Sequence, residues 1–384
     1  MLQVQNAISF NRAPVVGREL ELIREALEAR RLAGDGPHTR WCQDRLKEAL
    51  GAHQVLLTTS CTTALELAGL LCGLAPGDEV IMPSFTFVST ANAVVLRGAR
   101  PVFVDVRPDT LNIDETLIEA AVTPRTRAIF PVHYAAVCAE MDAINAIATR
   151  HGLAVVEDAA QAIGASYKGR PAGTLGDMGC FSFHETKNVV SGEGGALALR
   201  DATHADRARI LWEKGTNRTA FLLGQVDKYT WVDVGSSFLP SEITAAVLRA
   251  QLESAREIID DRLRSWGFYH AALEDAEGAG LLRRPIVPDH CVHNAHIYYV
   301  LCGDRAQRDG LIGKFRSHGI TASFHYIPLH SAPAGQRFGR TQGELTVTDD
   351  IAGRLLRLPL WYGMGEKAGR VVEILRRELG LPSL

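Results

Sequence analysis

Two residues that each follow an apolar run, Lys187 and Asp158, could do chemistry together. Lys187 follows the run 179–183, and Asp158 follows the run 153–157. Strands of this kind end at one edge of a parallel sheet, where ligands bind, so we expect the two side chains to meet. A lysine held in such a crevice can lose its proton and form a Schiff base. The alternatives are a helix cap for the aspartate and a solvated loop lysine.

Two turns that lead from a strand into a helix supply further candidate groups. Residues 58–63 are rich in hydroxyl side chains, and the free N–H groups of the helix that follows would bind an anion. The alternative is ordinary capping of that helix by Ser60 or Thr62. Phe87 stands at the second turn and offers an aromatic face, although a place in the core is the common fate of phenylalanine. An amine, a carboxylate, an anion site and an aromatic ring are together what pyridoxal phosphate (PLP) requires.

Seven short apolar runs predict the sheet that must position these residues. They are separated by helical patterns and lack strict alternation, which is typical of an α/β fold with a mainly parallel, seven-stranded sheet covered on both faces. We expect the large α/β domain, with an N-terminal helical segment, to span residues 1–250 and a smaller α+β domain to span 251–384. One long helix is predicted from Glu242 to about Tyr269. The predicted strands are 55–58, 79–82, 101–105, 128–132, 153–157, 179–183 and 196–199.

Composition excludes several classes of protein. The 384 residues carry a net charge of −3 and are 46% hydrophobic, which argues against a disordered chain and against binding to nucleic acid or an anionic membrane surface. The seven cysteines form no Cys-x-x-Cys pair, which indicates reduced thiols in a cytoplasmic protein. No apolar run is long enough for a membrane span, and residues 1–6 do not resemble the start of a signal peptide.

The motifs around these residues resemble the DegT/DnrJ/EryC1/StrS family of sugar aminotransferases, which are fold type I PLP enzymes. The resemblance covers nearly the whole chain and is carried by Phe-Ser-Phe-x-x-x-Lys at 181–187 and Glu-Asp-Ala-Ala-Gln at 157–161. Within the family, several segments look closest to the dTDP-4-amino-4,6-dideoxyhexose transaminases, and residues 228–237 look most like the galacto-forming group. The segments are 59–62, 183–188, 213–218, 225–231 and 323–330.

The resemblance implies a role for each of ten residues. Lys187 would bond the cofactor and then carry the substrate proton, while Asp158 would bind the pyridine nitrogen. A homodimer with shared sites is also implied, in which Ser237 of one chain replaces the usual asparagine at the phosphate of the other. The remaining implied contacts are Gln161 with the 3-hydroxyl, Phe87 stacked on the ring, Ser182, Thr62 and the backbone of Cys61 at the phosphate, and Tyr326 and His330 in the sugar pocket.

The implied reaction moves an amino group from L-glutamate to C4 of dTDP-4-keto-6-deoxyglucose, giving an amino sugar for antibiotic or polysaccharide biosynthesis. The related sugar 3-dehydratases have histidine in place of Lys187, so transamination is favoured over dehydration. A UDP-linked keto sugar or a ketocyclitol is the alternative acceptor, and a non-catalytic regulator with a PLP fold is the alternative class. We expect no metal, because His290, His293 and His296 would diverge on a strand.

Overall fold

A mixed β-sheet with helices on both faces forms most of the chain. The computed structural model describes residues 7–383, so the signal-peptide prediction, which rests on residues 1–6, lies outside the described residues. The strands are β1 (Gln54–Thr58), β2 (Glu79–Pro83), β3 (Arg100–Val104), β4 (Thr126–Ile129), β5 (Ala154–Asp158), β6 (Ser166–Tyr167), β7 (Arg170–Pro171), β8 (Met178–Ser182), β9 (Gly195–Leu199), β10 (Cys291–Val292), β11 (Tyr298–Leu301), β12 (Arg340–Thr341) and β13 (Leu355–Leu358).

Helices precede the sheet, connect its strands and make up most of the C-terminal region. They are α1 (Glu19–Glu28), α2 (Pro37–Leu50), α3 (Cys61–Leu71), α4 (Val88–Val95), α5 (Ile118–Ala121), α6 (Met141–His151), α7 (Ala205–Trp212), α8 (Arg218–Leu222), α9 (Glu242–Glu253), α10 (Ala255–Ala272), α11 (Glu274–Gly278), α12 (Arg305–Ser317), α13 (Pro333–Phe338), α14 (Thr346–Arg354) and α15 (Lys367–Glu378).

The main sheet has the strand order β1-β9-β8-β5-β4-β2-β3-β12. β9 runs antiparallel to both its neighbours, and the other pairs are parallel. The prediction of a mainly parallel sheet is therefore confirmed. All seven predicted strands are present, and the two-residue strand β12 adds an eighth at the edge, too short for a pattern of residues to indicate.

Alternate residues of each strand enter two different cores, which explains why the strands are apolar throughout. Leu57 and Ile81 pack into the core on one face, while Leu56, Val80 and Met82 pack into the core on the other. A strand covered on both faces has no exposed side for polar residues.

A third core lies under α10, α12 and α15 and contains both strands of the β11–β13 pair. Ile8 packs into it from the other end of the chain, and its backbone binds the backbone of Gly319 and Thr321. The predicted division of the chain at residue 250 stays a prediction.

Two local expectations are corrected. The single helix predicted from Glu242 to Tyr269 is two helices, because Ser254 takes φ −106° and ψ 8° and ends α9. Serine is a weak residue inside helices, and the apolar pattern continues across it, so the break leaves little trace in sequence. The segment 215–239, whose polar residues and glycines predict a long loop with aromatic residues, contains the short helix α8.

Other expectations can be compared with the structure. All seven cysteines are free, and all but the half-buried Cys72 are buried. None of the helices within residues 7–383 combines the length and apolar character that a membrane crossing needs.

Candidate active site

Asp158 ends β5 as a buried carboxylate with two hydrogen bonds. Thr90 donates from Oγ1 to Oδ2 over 2.6 Å, and the backbone N–H of Ala160 donates to Oδ1 over 3.2 Å. Thr90 lies in the first turn of α4, so this bond joins two strand-end segments at the same edge of the sheet. The carboxylate is thereby held in one orientation.

Glu157, which directly precedes Asp158, points to the opposite face of the sheet and has a structural role. Its side chain is fully buried and accepts a 2.7 Å bond from His133 Nε2. His133 Nδ1 accepts from the Ala139 N–H, so Nε2 carries the proton. Three backbone N–H groups, of Gly173, Leu175 and Gly176, complete the shell at 2.6–2.7 Å. The two adjacent carboxylates therefore serve different faces of the sheet.

Lys187 lies in a tight loop between β8 and β9. Its backbone N–H bonds to the carbonyl of His184, and Glu185 N–H bonds to the carbonyl of Gly192. Burial lowers the pKa of the Lys187 amine and the charge of Arg357 lowers it further, while Asp158 opposes the shift. The charges of Asp158 and Arg357 both act on this amine, so the structure brings Lys187 and Asp158 together, and the lowered pKa increases the fraction of neutral amine at a given pH.

The N-terminus of α3 lies beside the end of β8. Ser60 caps the helix, and Thr62 Oγ1 lies 2.7 Å from Ser89 Oγ. Ser182 pairs with Gly195 on β9, and a Cβ on Gly195 would lie 2.5 Å from the backbone nitrogen of Cys61. Because Gly195 has no side chain, β9 can approach the N-terminus of α3. Ser182, Thr62 and the Cys61 N–H are thereby brought to the same region.

Phe87 is the residue before α4 and is 58% exposed, so it is not a core residue. Its carbonyl accepts a hydrogen bond from the N–H of Thr90, which in turn binds Asp158. Phe87 therefore lies one helical turn before the threonine that binds the carboxylate, and its exposed ring is available to a ligand.

Gln161 and Tyr326, which are 165 residues apart in the chain, are joined by a hydrogen bond. Gln161 accepts from the N–H of Ala135 over 2.7 Å and donates to Tyr326 Oη over 3.1 Å. The Tyr326 ring stacks on His325 with centroids 3.9 Å apart. Burial raises the pKa of Tyr326 to about 12, so its hydroxyl keeps its proton and can donate to a ligand.

His330 and Ser237 have other surroundings. His330 Nδ1 lies 2.8 Å from Ser84 Oγ and Nε2 lies 3.4 Å from Asp349, so both ring nitrogens have partners. Ser237 is exposed, and the next carbonyl in the chain, of Phe238, accepts from Thr59 N–H. No contact among residues 7–383 joins Ser237 to Lys187.

The three histidines considered for a metal site diverge. His290 bonds Glu140, His293 packs against Trp266, and His296 bonds Asn188. No group of three or more potential metal ligands occurs in the described part of the chain.

Three further residues of this region, Arg357, His325 and Tyr134, were not predicted from the sequence. Arg357 in β13 and His325 are joined by a hydrogen bond, and Tyr134 lies 3.3 Å from His325 Nδ1. Arg357 is the one charged residue in an otherwise apolar strand, Leu-Leu-Arg-Leu, and that was the available signal. Nothing local relates it to Lys187, 170 residues earlier.

This set of groups fits PLP. The fit rests on the amine beside a carboxylate, the helix N-terminus that Gly195 makes accessible, and the exposed ring of Phe87. An aldehyde, a ring nitrogen, a phosphate and a flat ring would each find a matching group.

Comparisons with known proteins agree with this fit. The model of the DegT/DnrJ/EryC1/StrS aminotransferase family matches residues 15–376. The spore coat polysaccharide biosynthesis protein SpsC of Bacillus subtilis is 35% identical, with 95% of each chain covered. The UDP-2-acetamido-2-deoxy-3-oxo-D-glucuronate aminotransferase of Pseudomonas aeruginosa is 36% identical, over 85% of this chain and 86% of its own.

Among solved structures, the aminotransferase TlmJ of Streptoalloteichus hindustanus superposes with a TM-score of 0.89 at 31% identity, over 97% of this chain and 99% of its own. The predicted fold type I architecture, the PLP dependence and the enzyme class are thereby confirmed. The chain belongs to the DegT/DnrJ/EryC1/StrS family of PLP-dependent sugar aminotransferases.

Proposed function

We propose that this protein transfers the amino group of L-glutamate to C4 of dTDP-4-keto-6-deoxyglucose, giving the galacto isomer of dTDP-4-amino-4,6-dideoxyhexose. The observation that carries the transfer reaction is the half-buried amine of Lys187, whose pKa is lowered, beside Asp158. The choice of acceptor is supported by the likeness of segments 225–231 and 323–330 to the dTDP-sugar transaminases.

Bound at this site, PLP would supply an electron sink for the carbanion that forms when the donor carbon loses its proton. Asp158 would hold the ring nitrogen, and Thr90 would keep the carboxylate oriented toward it. Ser182, Thr62 and the Cys61 N–H would bind the phosphate, Phe87 would cover the ring, and Gln161 would contact the 3-hydroxyl.

Lys187 would move the proton in both halves of the reaction. As a neutral amine it can accept the proton from the donor carbon, and as an ammonium it can return it to C4 of the sugar. The side of the sugar that faces Lys187 would decide between the galacto and gluco products.

The sugar would lie against the segment 323–330. Tyr326 presents a hydroxyl that Gln161 already orients, while His330 is braced by Ser84 and Asp349 and would contribute its ring edge. Both residues come from the C-terminal part of the chain, so the pocket would lie between it and the sheet.

A homodimer would complete the site. Residues 218–238, which we call the arm, carry Ser237 together with apolar side chains that no other part of the described chain covers. Such a patch is typical of an interface, and the arm of one chain would lie at the phosphate of the other. The exposed apolar residues of the arm are Phe221, Leu222, Leu223, Tyr229, Trp231, Val232 and Val234.

Product analysis tests the proposal. The purified protein is incubated with PLP, L-glutamate and dTDP-4-keto-6-deoxyglucose, and the proton NMR spectrum of the product is recorded. A 4-amino sugar with a small H3–H4 coupling is expected, and a large coupling would indicate the gluco product. A Lys187→Met variant is the control and should form no product.

A parallel incubation with a UDP-linked keto sugar tests the alternative acceptor. The Pseudomonas aeruginosa relative is named for a UDP-linked keto sugar, which is the reason for this choice. Faster turnover of the UDP-linked sugar would overturn the dTDP assignment. Failure of glutamate to convert the bound cofactor to its amine form would overturn the donor, and failure of every amino donor would favour a non-catalytic protein.

A further inference from the structure

The backbone of Arg357, in strand β13, is paired on both sides. In the β11–β13 pair it stands opposite Tyr299. On its other side it exchanges two backbone hydrogen bonds with Ser323, at 2.7 and 3.2 Å. A side chain that starts from a backbone fixed on both sides has little freedom in where its head group can lie.

The guanidinium of Arg357 has room for further hydrogen bonds. Nη1 donates to His325 Nε2, and the group lies over the ring of Phe10, 4.5 Å from its centroid. Nε is buried and donates to no acceptor within residues 7–383. No carboxylate of that part of the chain forms an ion pair with Arg357, so one edge of the planar fork lacks an anionic partner.

This cation lies close to the reactive amine. Burial lowers the pKa of Lys187 and of His325, and the charge of Arg357 adds to both shifts. Arg357 also lines a small cavity together with Thr186, which directly precedes Lys187, and His296. A buried cation without a counter-charge is unfavourable, so an arrangement of this kind is suited to binding an anion.

We propose that Arg357 binds a carboxylate of the amino donor. The inference rests on the proposed aminotransferase function. The reacting carbon of an amino acid carries its carboxylate directly, so a carboxylate must lie near Lys187 whenever that carbon does. A guanidinium binds a carboxylate through two parallel hydrogen bonds. Here the hydrogen bond from Nη1 to His325 would hold the group in place and leave Nε and Nη2 for the carboxylate.

The same residue would distinguish the two substrates. The keto sugar has no carboxylate at its reacting carbon, so it gains nothing from Arg357 there. The other anion that reaches the site is the phosphate of the sugar nucleotide, which a guanidinium would also bind. Separate measurement of the two half-reactions distinguishes these sources.

The test uses the holoenzyme and follows the absorbance of the cofactor. In the first half-reaction, glutamate converts the aldehyde form of the cofactor to the amine form; in the second, the keto sugar reverses the change. Arg357→Gln should raise the glutamate concentration for half-maximal rate by about 30- to 100-fold and leave that for the keto sugar within about 2-fold. Arg357→Lys, which keeps the charge without the fork, should give an intermediate loss.

Calorimetric titration with 2-oxoglutarate supplies a readout that needs no turnover. Its affinity for the aldehyde form of the holoenzyme should fall about 30-fold or more in Arg357→Gln. Arg256→Gln is the matched control, since Arg256 lies on α10 with a side chain 96% exposed, and both measurements should be unchanged.

Each other result has a definite meaning. A loss confined to the keto-sugar half-reaction would assign Arg357 to the phosphate and overturn the proposal. Equal loss in both half-reactions would indicate a structural role, and no loss would exclude a role in binding; either also overturns it. If the unaltered enzyme fails to react with glutamate, the proposed donor is wrong, which is a separate failure.

Discussion

Thr90 Oγ1 lies 2.6 Å from Oδ2 of Asp158 and joins the first turn of α4 to the end of β5. The bond is buried, and Thr86 Oγ1 lies 2.9 Å from the same hydroxyl. A short chain of hydroxyl groups therefore leads to the carboxylate that we assign to the ring nitrogen of the cofactor. Phe87, placed to cover that ring, belongs to the same turn.

Replacement of Thr90 by valine should weaken PLP binding about 10-fold. Valine keeps the shape but leaves Oδ2 of a buried carboxylate without its donor, and a hydrogen bond to a charged group contributes roughly 1.5–3 kcal/mol. Titration of the apo-protein with PLP, followed by absorbance, gives the affinity. Thr90→Ser, which restores the hydroxyl, should bind like the original, and equal affinity of the valine variant would refute the role.

Replacement of Gly195 by alanine should damage both the fold and the phosphate site. The new Cβ would lie 2.3 Å from the backbone carbon of Ser60, so strand and helix must separate, at a cost of about 1–3 kcal/mol or more. Gly313→Ala is the control, because it lies within α12 with nothing within 4 Å of the new Cβ. Urea unfolding and PLP titration should show losses for Gly195→Ala alone.

Lys187 should make the stability of the apo-protein depend on pH. Burial lowers its pKa in the folded chain, so between that value and about 10.4 the unfolded chain binds more protons, and stability rises with pH. Lys187→Met should therefore stabilise the apo-protein most below the folded pKa and have no advantage above about pH 10.4. Urea unfolding across pH measures this, and a constant difference would contradict it.

Replacement of Trp231 by glutamate should dissociate the proposed dimer. The indole is 78% exposed in one chain, and a charge at its position would have to be buried between two arms. Sedimentation equilibrium is expected to show a monomer with weakened PLP binding, because Ser237 is then lost from the neighbouring site. Val292→Glu, which changes an exposed apolar residue outside the arm, is the control. A dimer that survives Trp231→Glu would refute the assigned interface.

The strands and the convergence of Lys187 and Asp158 could be predicted from the sequence. Apolar runs separated by helical patterns report burial on both faces of a sheet, and parallel strands must end at one edge. Lys187 and Asp158 could be placed together on that ground alone. The motif around Lys187 then indicated the chemistry.

The residues that contact Lys187 and Asp158 could not be predicted in the same way, because they come from distant segments of the chain. Thr90 and Asp158 are 68 residues apart, and Gln161 meets Tyr326 across 165 residues, distances that no local pattern encodes. A periodic pattern reports only whether a side chain is buried, so it gave no reason to relate Arg357 to Lys187. The contacts that orient the groups arise from packing between distant segments, which only the folded chain brings together.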